Sequence, residues 1–74
     1  MPMENDDLLV KLGQRIVQLR KEKGIRQVDL AFDSEIDDGS LRRIEKGKIN
    51  PTTKTLAKIA RGLGVEIKDL FDFK

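Results

Sequence analysis

Apolar residues in the first third of the chain fall at Leu9, Leu12, Ile16 and Leu19. Steps of three and four put them on one stripe of a helix that turns about 100° per residue. The pattern predicts a first helix from Leu8, capped by Asn5 or one of the aspartates after it. Gly24 is its stop, a left-handed residue just behind Lys21 and Lys23. Ile25 opens a second segment over 27–33, where Val28, Leu30, Ala31 and Phe32 suit a two-turn helix. A third helix starts on an Asp37 cap, turns Leu41 and Ile44 inward and ends at Gly47. Asn50-Pro51-Thr52 then breaks the chain, because proline cannot continue a helix. Thr52 or Thr53 caps a fourth helix carrying Leu56, Ile59, Ala60 and Leu63, and Gly64 closes it. A short fifth helix from about Ile67 brings Leu70 and Phe71 back to the core. No stretch alternates with the period of a strand, so the expected fold is all-α, a compact five-helix bundle.

Residues 27–46 hold the informative pattern. Two helices are joined there by about four residues, and Ala31 sits where a bulky side chain would hold them apart. Ile36, Leu41 and Ile44 supply the apolar inner surface. With Asp38 at 0°, Arg42 falls at about 40°, Lys46 at about 80°, Gly39 at about 100° and Arg43 at about 140°, whereas Ile44 and Leu41 lie at about 240° and 300°. A helix with one buried edge and one positive, projecting edge suits the DNA major groove, which is wide enough to admit it.

Charge sharpens this picture. The chain carries only +2 overall, yet the charge is blocked along it. Glu4, Asp6 and Asp7 make the start acidic, and Asp29, Asp33, Glu35, Asp37 and Asp38 give −5 over 27–38. Residues 39–58 then give +5, from Arg42, Arg43, Lys46, Lys48, Lys54 and Lys58 against Glu45. On charge alone such blocks read either as a solvated surface or as a basic stripe for a nucleic-acid partner, and the spacing over 27–46 decides for the second.

Composition excludes most chemistry. Among 74 residues there is no His, Cys, Trp or Tyr. Cysteine–histidine zinc sites, disulfides, thiol nucleophiles and histidine acid–base catalysis therefore lack their side chains. An enzyme is not expected, nor a cofactor. A calcium-loop pattern from Ser34 through Gly39 to Glu45 fails at Ile36, which puts an apolar residue at a ligand position. No targeting or membrane-spanning signal stands out, which points to the cytoplasm. The expected organisation is an acidic arm over 1–7 and one domain over 8–74.

The chain resembles the Cro and phage-repressor type of helix-turn-helix regulators, also called the xenobiotic-response-element family. The likeness covers roughly residues 12–71 and is carried by several runs. These are Leu12-Gly13-Gln14-Arg15-Ile16, Leu19-Arg20-Lys21-Glu22-Lys23-Gly24, Gln27-Val28-Asp29-Leu30-Ala31, Arg43-Ile44-Glu45-Lys46-Gly47-Lys48, Asn50-Pro51-Thr52 and Leu63-Gly64-Val65 before Leu70-Phe71. The resemblance implies a lambda-repressor-like domain that regulates transcription, in the family's usual role a repressor. It would dock as a homodimer on a roughly palindromic operator of double-stranded DNA, with the helix after Asp37 as reader. By the same resemblance Gln27 contacts a phosphate or buttresses the reader, and Asp38, Gly39 and Arg43 meet base edges, with Arg42 close beside them. Lys46, Lys48 and Asn50 grip the backbone, a contact that carries affinity and register. Arg20 and Glu45 match a recurrent internal ion pair tying the first helix to the end of the reader. The periodicity agrees, since Arg20 borders the apolar stripe and Glu45 neighbours Leu41.

The chain departs from that pattern in three places. Glu35 stands where the turn usually has glycine, Arg26 and Glu66 replace capping Ser or Thr, and the acidic Asp37-Asp38 pair sits at the reader's tip. Asp38 either accepts from a cytosine amino group or opposes phosphates. Asp29, Asp33 and Glu35 form an acidic patch that, in an activator, would touch RNA polymerase. The rival reading is a protein-interaction module that keeps this fold with weak or lost DNA binding. Phe71 and Phe73 are the candidate dimer contacts, Phe73 either exposed for association or packed back onto its own core.

Overall fold

A computed structural model describes residues 5–73, with side chains from Asp7 onward. Four α-helices run in order: α1 (Asn5–Glu22), α2 (Gln27–Ser34), α3 (Asp38–Glu45) and α4 (Thr53–Leu63). α1 is already helical at Asn5, three residues before the expected start at Leu8, so Asn5, Asp6 and Asp7 lie inside the helix and not at its cap position. Asp7 already belongs to α1, its carboxylate 3.9 Å from Lys11 one turn on. The expected stops hold, with Gly24, Gly47 and Gly64 all left-handed at φ between 68° and 73°. Thr52 caps α4 by accepting from the Thr55 amide at 3.0 Å.

The fifth element differs from expectation. Ile67–Phe71 forms a 3₁₀ segment, so there are four α-helices among the described residues and not five. In a run this short the i to i+3 pattern competes readily with the α-type ladder. The closures are three residues apart instead, Asp69 N–H to Glu66 C=O at 3.0 Å and Asp72 N–H to Asp69 C=O at 3.4 Å. Glu66 stands where a capping Ser or Thr was expected, and the start is held from inside, since Asp69 Oδ2 accepts the Glu66 amide at 3.0 Å. The expected return of Phe71 to the core is also corrected. Leu70 is fully buried, but Phe71 is 40% exposed, and Phe73 packs against the core in its place. The tight pitch turns Leu70 inward, and the chain then folds back so that the two rings meet edge to face with centroids 6.1 Å apart.

One apolar cluster joins all five elements. Leu12, Ile16 and Leu19 come from α1, Leu30 and Ala31 from α2, Leu41 and Ile44 from α3, Leu56, Ile59, Ala60 and Leu63 from α4, and Leu70 from the 3₁₀ segment. Ile36 packs against it from the turn. Two glycines let backbones approach. A methyl group on Gly13 in α1 would collide with the Glu45 carbonyl oxygen, and one on Gly62 would meet Ser34 Oγ. The end of α3 is therefore seated directly on α1, and α4 directly on α2.

Candidate nucleic-acid interface

The turn between α2 and α3 is built from local conformational demands. Glu35 adopts the left-handed conformation at φ 59°, where a glycine would sit without strain, at a cost of about 1–2 kcal/mol. Its amide and that of Ile36 are bonded back to Phe32 and Ala31 at 3.1 and 3.0 Å, which ends α2 cleanly. Asp37 is extended and caps α3, accepting from the Ser40 amide at 2.7 Å and the Ser40 hydroxyl at 2.9 Å. These bonds hold its carboxyl below the ordinary carboxylate range, and the positive charge of Arg43 adds to the effect. Arg26, at the start of α2, makes no cap bond. It instead grips Asp29 at 2.8 Å, lowering the Asp29 carboxyl, while its own guanidinium is held further toward the charged form.

α3 buries one side and presents the other. Leu41, Ile44 and Glu45 are buried, while Asp38, Arg42, Arg43 and Lys46 are exposed and Gly39 is half-buried. The chain then turns through Gly47, where the Lys48 amide bonds to the Arg43 carbonyl at 2.9 Å. This carries exposed Lys48 and Asn50 round the end of the helix.

The angle of α3 is fixed from beneath. Glu45 is almost wholly buried, and Arg20 reaches it with two parallel bonds, Nε to Oε2 at 2.9 Å and a terminal nitrogen to Oε1 at 3.1 Å. The other terminal nitrogen donates to the Ile25 carbonyl at 3.2 Å. Gln27 adds a third donor, its side-chain nitrogen 2.8 Å from Glu45 Oε1. Arg20, Gln27 and Glu45 thus form one network joining α1, α2 and the last turn of α3. A fork-shaped cation on a carboxylate supplies geometry as well as energy.

The acidic patch is not uniform. Asp29 is tied to Arg26, Glu35 lies 3.6 Å from Arg61, and Asp33 is exposed. The amphipathic reading of α2 did not show that Phe32 is 83% exposed and Val28 48% exposed, one turn apart on its outer side. Only Leu30, Ala31 and Ser34 of that helix are buried. Since Leu30 and Ala31 alone satisfy the core, a short helix with four apolar residues has two to spare, and that surplus was the available signal. Among the described residues no group of three or more Asp or Glu side chains converges as a metal site. No described helix is long and apolar enough to cross a membrane.

Residues 16–70 match the helix-turn-helix family. The chain belongs to that family, as its sequence resemblance implies. An HTH-type transcriptional regulator of Deinococcus deserti, DdrOP3, is 35% identical over 63 residues, 85% of this chain and 49% of its own length. The control protein C.MunI of a Mycoplasma species is 34% identical over 67 residues, 89% of this chain and 90% of its own. Among solved structures, the restriction-modification controller protein C.AhdI from Aeromonas hydrophila superposes with a TM-score of 0.83 at 40% identity, covering 85% of this chain and 96% of that one. The chain spans about half the length of the Deinococcus regulator and nearly all of the two controllers.

Proposed function

We propose that the protein is a sequence-specific DNA-binding regulator of transcription that lays α3 in the major groove of a roughly palindromic operator. The observation that carries this reading is the two-sidedness of α3: Leu41, Ile44 and Glu45 lock it to the domain while Arg42, Arg43 and Lys46 stand free on the other side. Arg43 is the principal base reader, through a bidentate contact to guanine, with Asp38, Gly39 and Arg42 around it. Lys46, Lys48 and Asn50 hold the phosphate backbone. Gln27 acts mainly as a buttress, because its amide already donates to Glu45, and its second N–H is left to meet a phosphate. The protein works as a homodimer in the cytoplasm, as a regulator and not as an enzyme, and repression follows from covering the operator. Where it activates, the outer side of α2, with Phe32, Asp29, Asp33 and Glu35, is the surface offered to RNA polymerase.

Measuring affinity across salt concentrations for a selected operator and for random DNA tests the assignment. Lys48→Ala should weaken both alike and flatten the salt dependence by nearly one unit of slope. Arg43→Ala should lose about 1–3 kcal/mol of discrimination at one base pair and much less general affinity. Equal losses on both DNAs from both substitutions would remove Arg43 as the reader.

A further inference from the structure

Position 39 falls where a reader helix meets base edges, yet glycine has no side chain to offer there. The surroundings of Gly39 explain what fills the space. A methyl group on Gly39 would stand 3.4 Å from both terminal nitrogens of Arg43 and 3.3 Å from Asp37 Oδ1. The Arg43 guanidinium therefore does not project at the level of its own Cα. It lies back along the helix over the first turn, about 6 Å nearer the N-terminus at 1.5 Å per residue. Side chains four residues apart share a helix face and lean toward the N-terminal end, so a long side chain at position 39 would lie across this route, whereas a methyl group would only touch it. Asp37 borders the same space, its carboxylate fixed by the two Ser40 bonds.

We infer that Gly39 is a positioning residue: the slot left by its missing side chain seats the Arg43 guanidinium over the first turn of α3, so that Arg43 reads a guanine at the tip of the helix. The inference rests on α3 being the reader and assigns specificity to a pair, Gly39 with Arg43. The tip of a recognition helix is where base edges come within reach. A guanidinium held there before binding brings its fork to the groove with less freedom left to lose.

The test is selection of bound sequences from a random DNA pool by wild type, Gly39→Ala, Gly39→Leu, Arg43→Ala and the Gly39→Leu/Arg43→Ala double variant. Alanine makes ordinary contact with the guanidinium and asks Asp37 Oδ1 to give by only a few tenths of an ångström, so it should keep more of the preference than leucine does. Leucine fills the slot and should lose it. Wild type and Gly39→Ala should favour guanine at one position of each half-site by about tenfold or more. Arg43→Ala and Gly39→Leu should lose it at that same position, the double variant should lose nothing further there, and each should weaken binding to random DNA by much less than the roughly tenfold lost at that position. Gly39→Leu keeping the preference that Arg43→Ala loses would overturn the slot and leave Arg43 a reader. Arg43→Ala keeping it would overturn both. Should Gly39→Leu not fold, nuclear Overhauser contacts between the Arg43 side chain and the Gly39 α-protons of the wild-type protein decide the matter, and their absence overturns the inference.

Discussion

Asp37 and Asp38 are adjacent carboxylates at the N-terminal end of α3 that, on the proposed reading, act in opposite senses. Asp37 is engaged by Ser40, so its folded carboxyl is more acidic than in the unfolded chain. The stabilisation is therefore complete above the ordinary carboxylate value near 4 and fades as pH falls through the lower folded value. Asp37→Asn keeps a capping oxygen but loses the charge. Melting curves from neutral pH down to about 3 should show wild type losing more stability than the variant, and equal losses would mean that the cap's charge is inert. Asp38 is exposed at the first position of α3, beside a glycine. On the proposed reading its charge mainly opposes phosphates, because Gly39 beside it brings no side chain of its own to the bases. Asp38→Asn should then raise affinity for every DNA with little change in salt slope. A variant weakened only on its own operator would instead make Asp38 a cytosine acceptor. The cap at Asp37 and the outward place of Arg42 and Arg43 were legible in the sequence, because spacing and residue type determine them. The direction taken by the Arg43 side chain was not, since it depends on the space at Gly39.

Among the elements, the helices and their stops followed from apolar spacing and from glycine, proline and threonine punctuation. The closing segment did not, because five residues with one inward leucine read equally as α or 3₁₀. Nor did spacing reveal why Gly13 interrupts a well-formed helix, where alanine would be more favourable by about 1 kcal/mol. Its cause is tertiary: the carbonyls of Ile44 and Glu45 occupy the space a Cβ needs. Both partners there are backbone, so neither can swing aside, and α1 and α3 must separate if a methyl group is added. Gly13→Ala should cost about 1–3 kcal/mol in chemical denaturation. It should also cut operator affinity in protein that remains folded, because the Arg20, Gln27 and Glu45 network spans the same junction. A variant with wild-type stability and affinity would show that the seating of α3 on α1 is compliant. Glu45→Ala is harsher. It leaves Arg20 partly buried without its carboxylate, a loss of about 3–5 kcal/mol that matches the whole net stability expected of so small a core.

At the scale of the molecule, size and reach decide how an operator is covered. The domain measures 37 × 23 × 19 Å; on the proposed reading it presents one reader to one half-site, and successive half-sites on one face of DNA lie about 34 Å apart. Two copies side by side match that spacing, which favours two-fold pairing over a lone domain. The surface available for pairing was read from the sequence as Phe71 with Phe73, and the exposures divide those roles. Phe73 is half-buried against its own core, whereas Phe71 at 40% and Ile67 at 36% keep apolar surface outward on the closing segment. Phe71 is thus the better probe, since replacing it removes outer surface and leaves Leu70 in place. Phe71→Ser should shift sedimentation at micromolar concentration from dimer toward monomer while the helical circular dichroism persists. Operator binding should lose affinity and rise more steeply with protein concentration, because pairing must then occur on the DNA. If wild type is monomeric both free and on DNA, two-fold pairing is wrong; if Phe71→Ser leaves a dimer intact, the pairing surface lies elsewhere, and the Val28–Phe32 side of α2 is the next apolar surface to test.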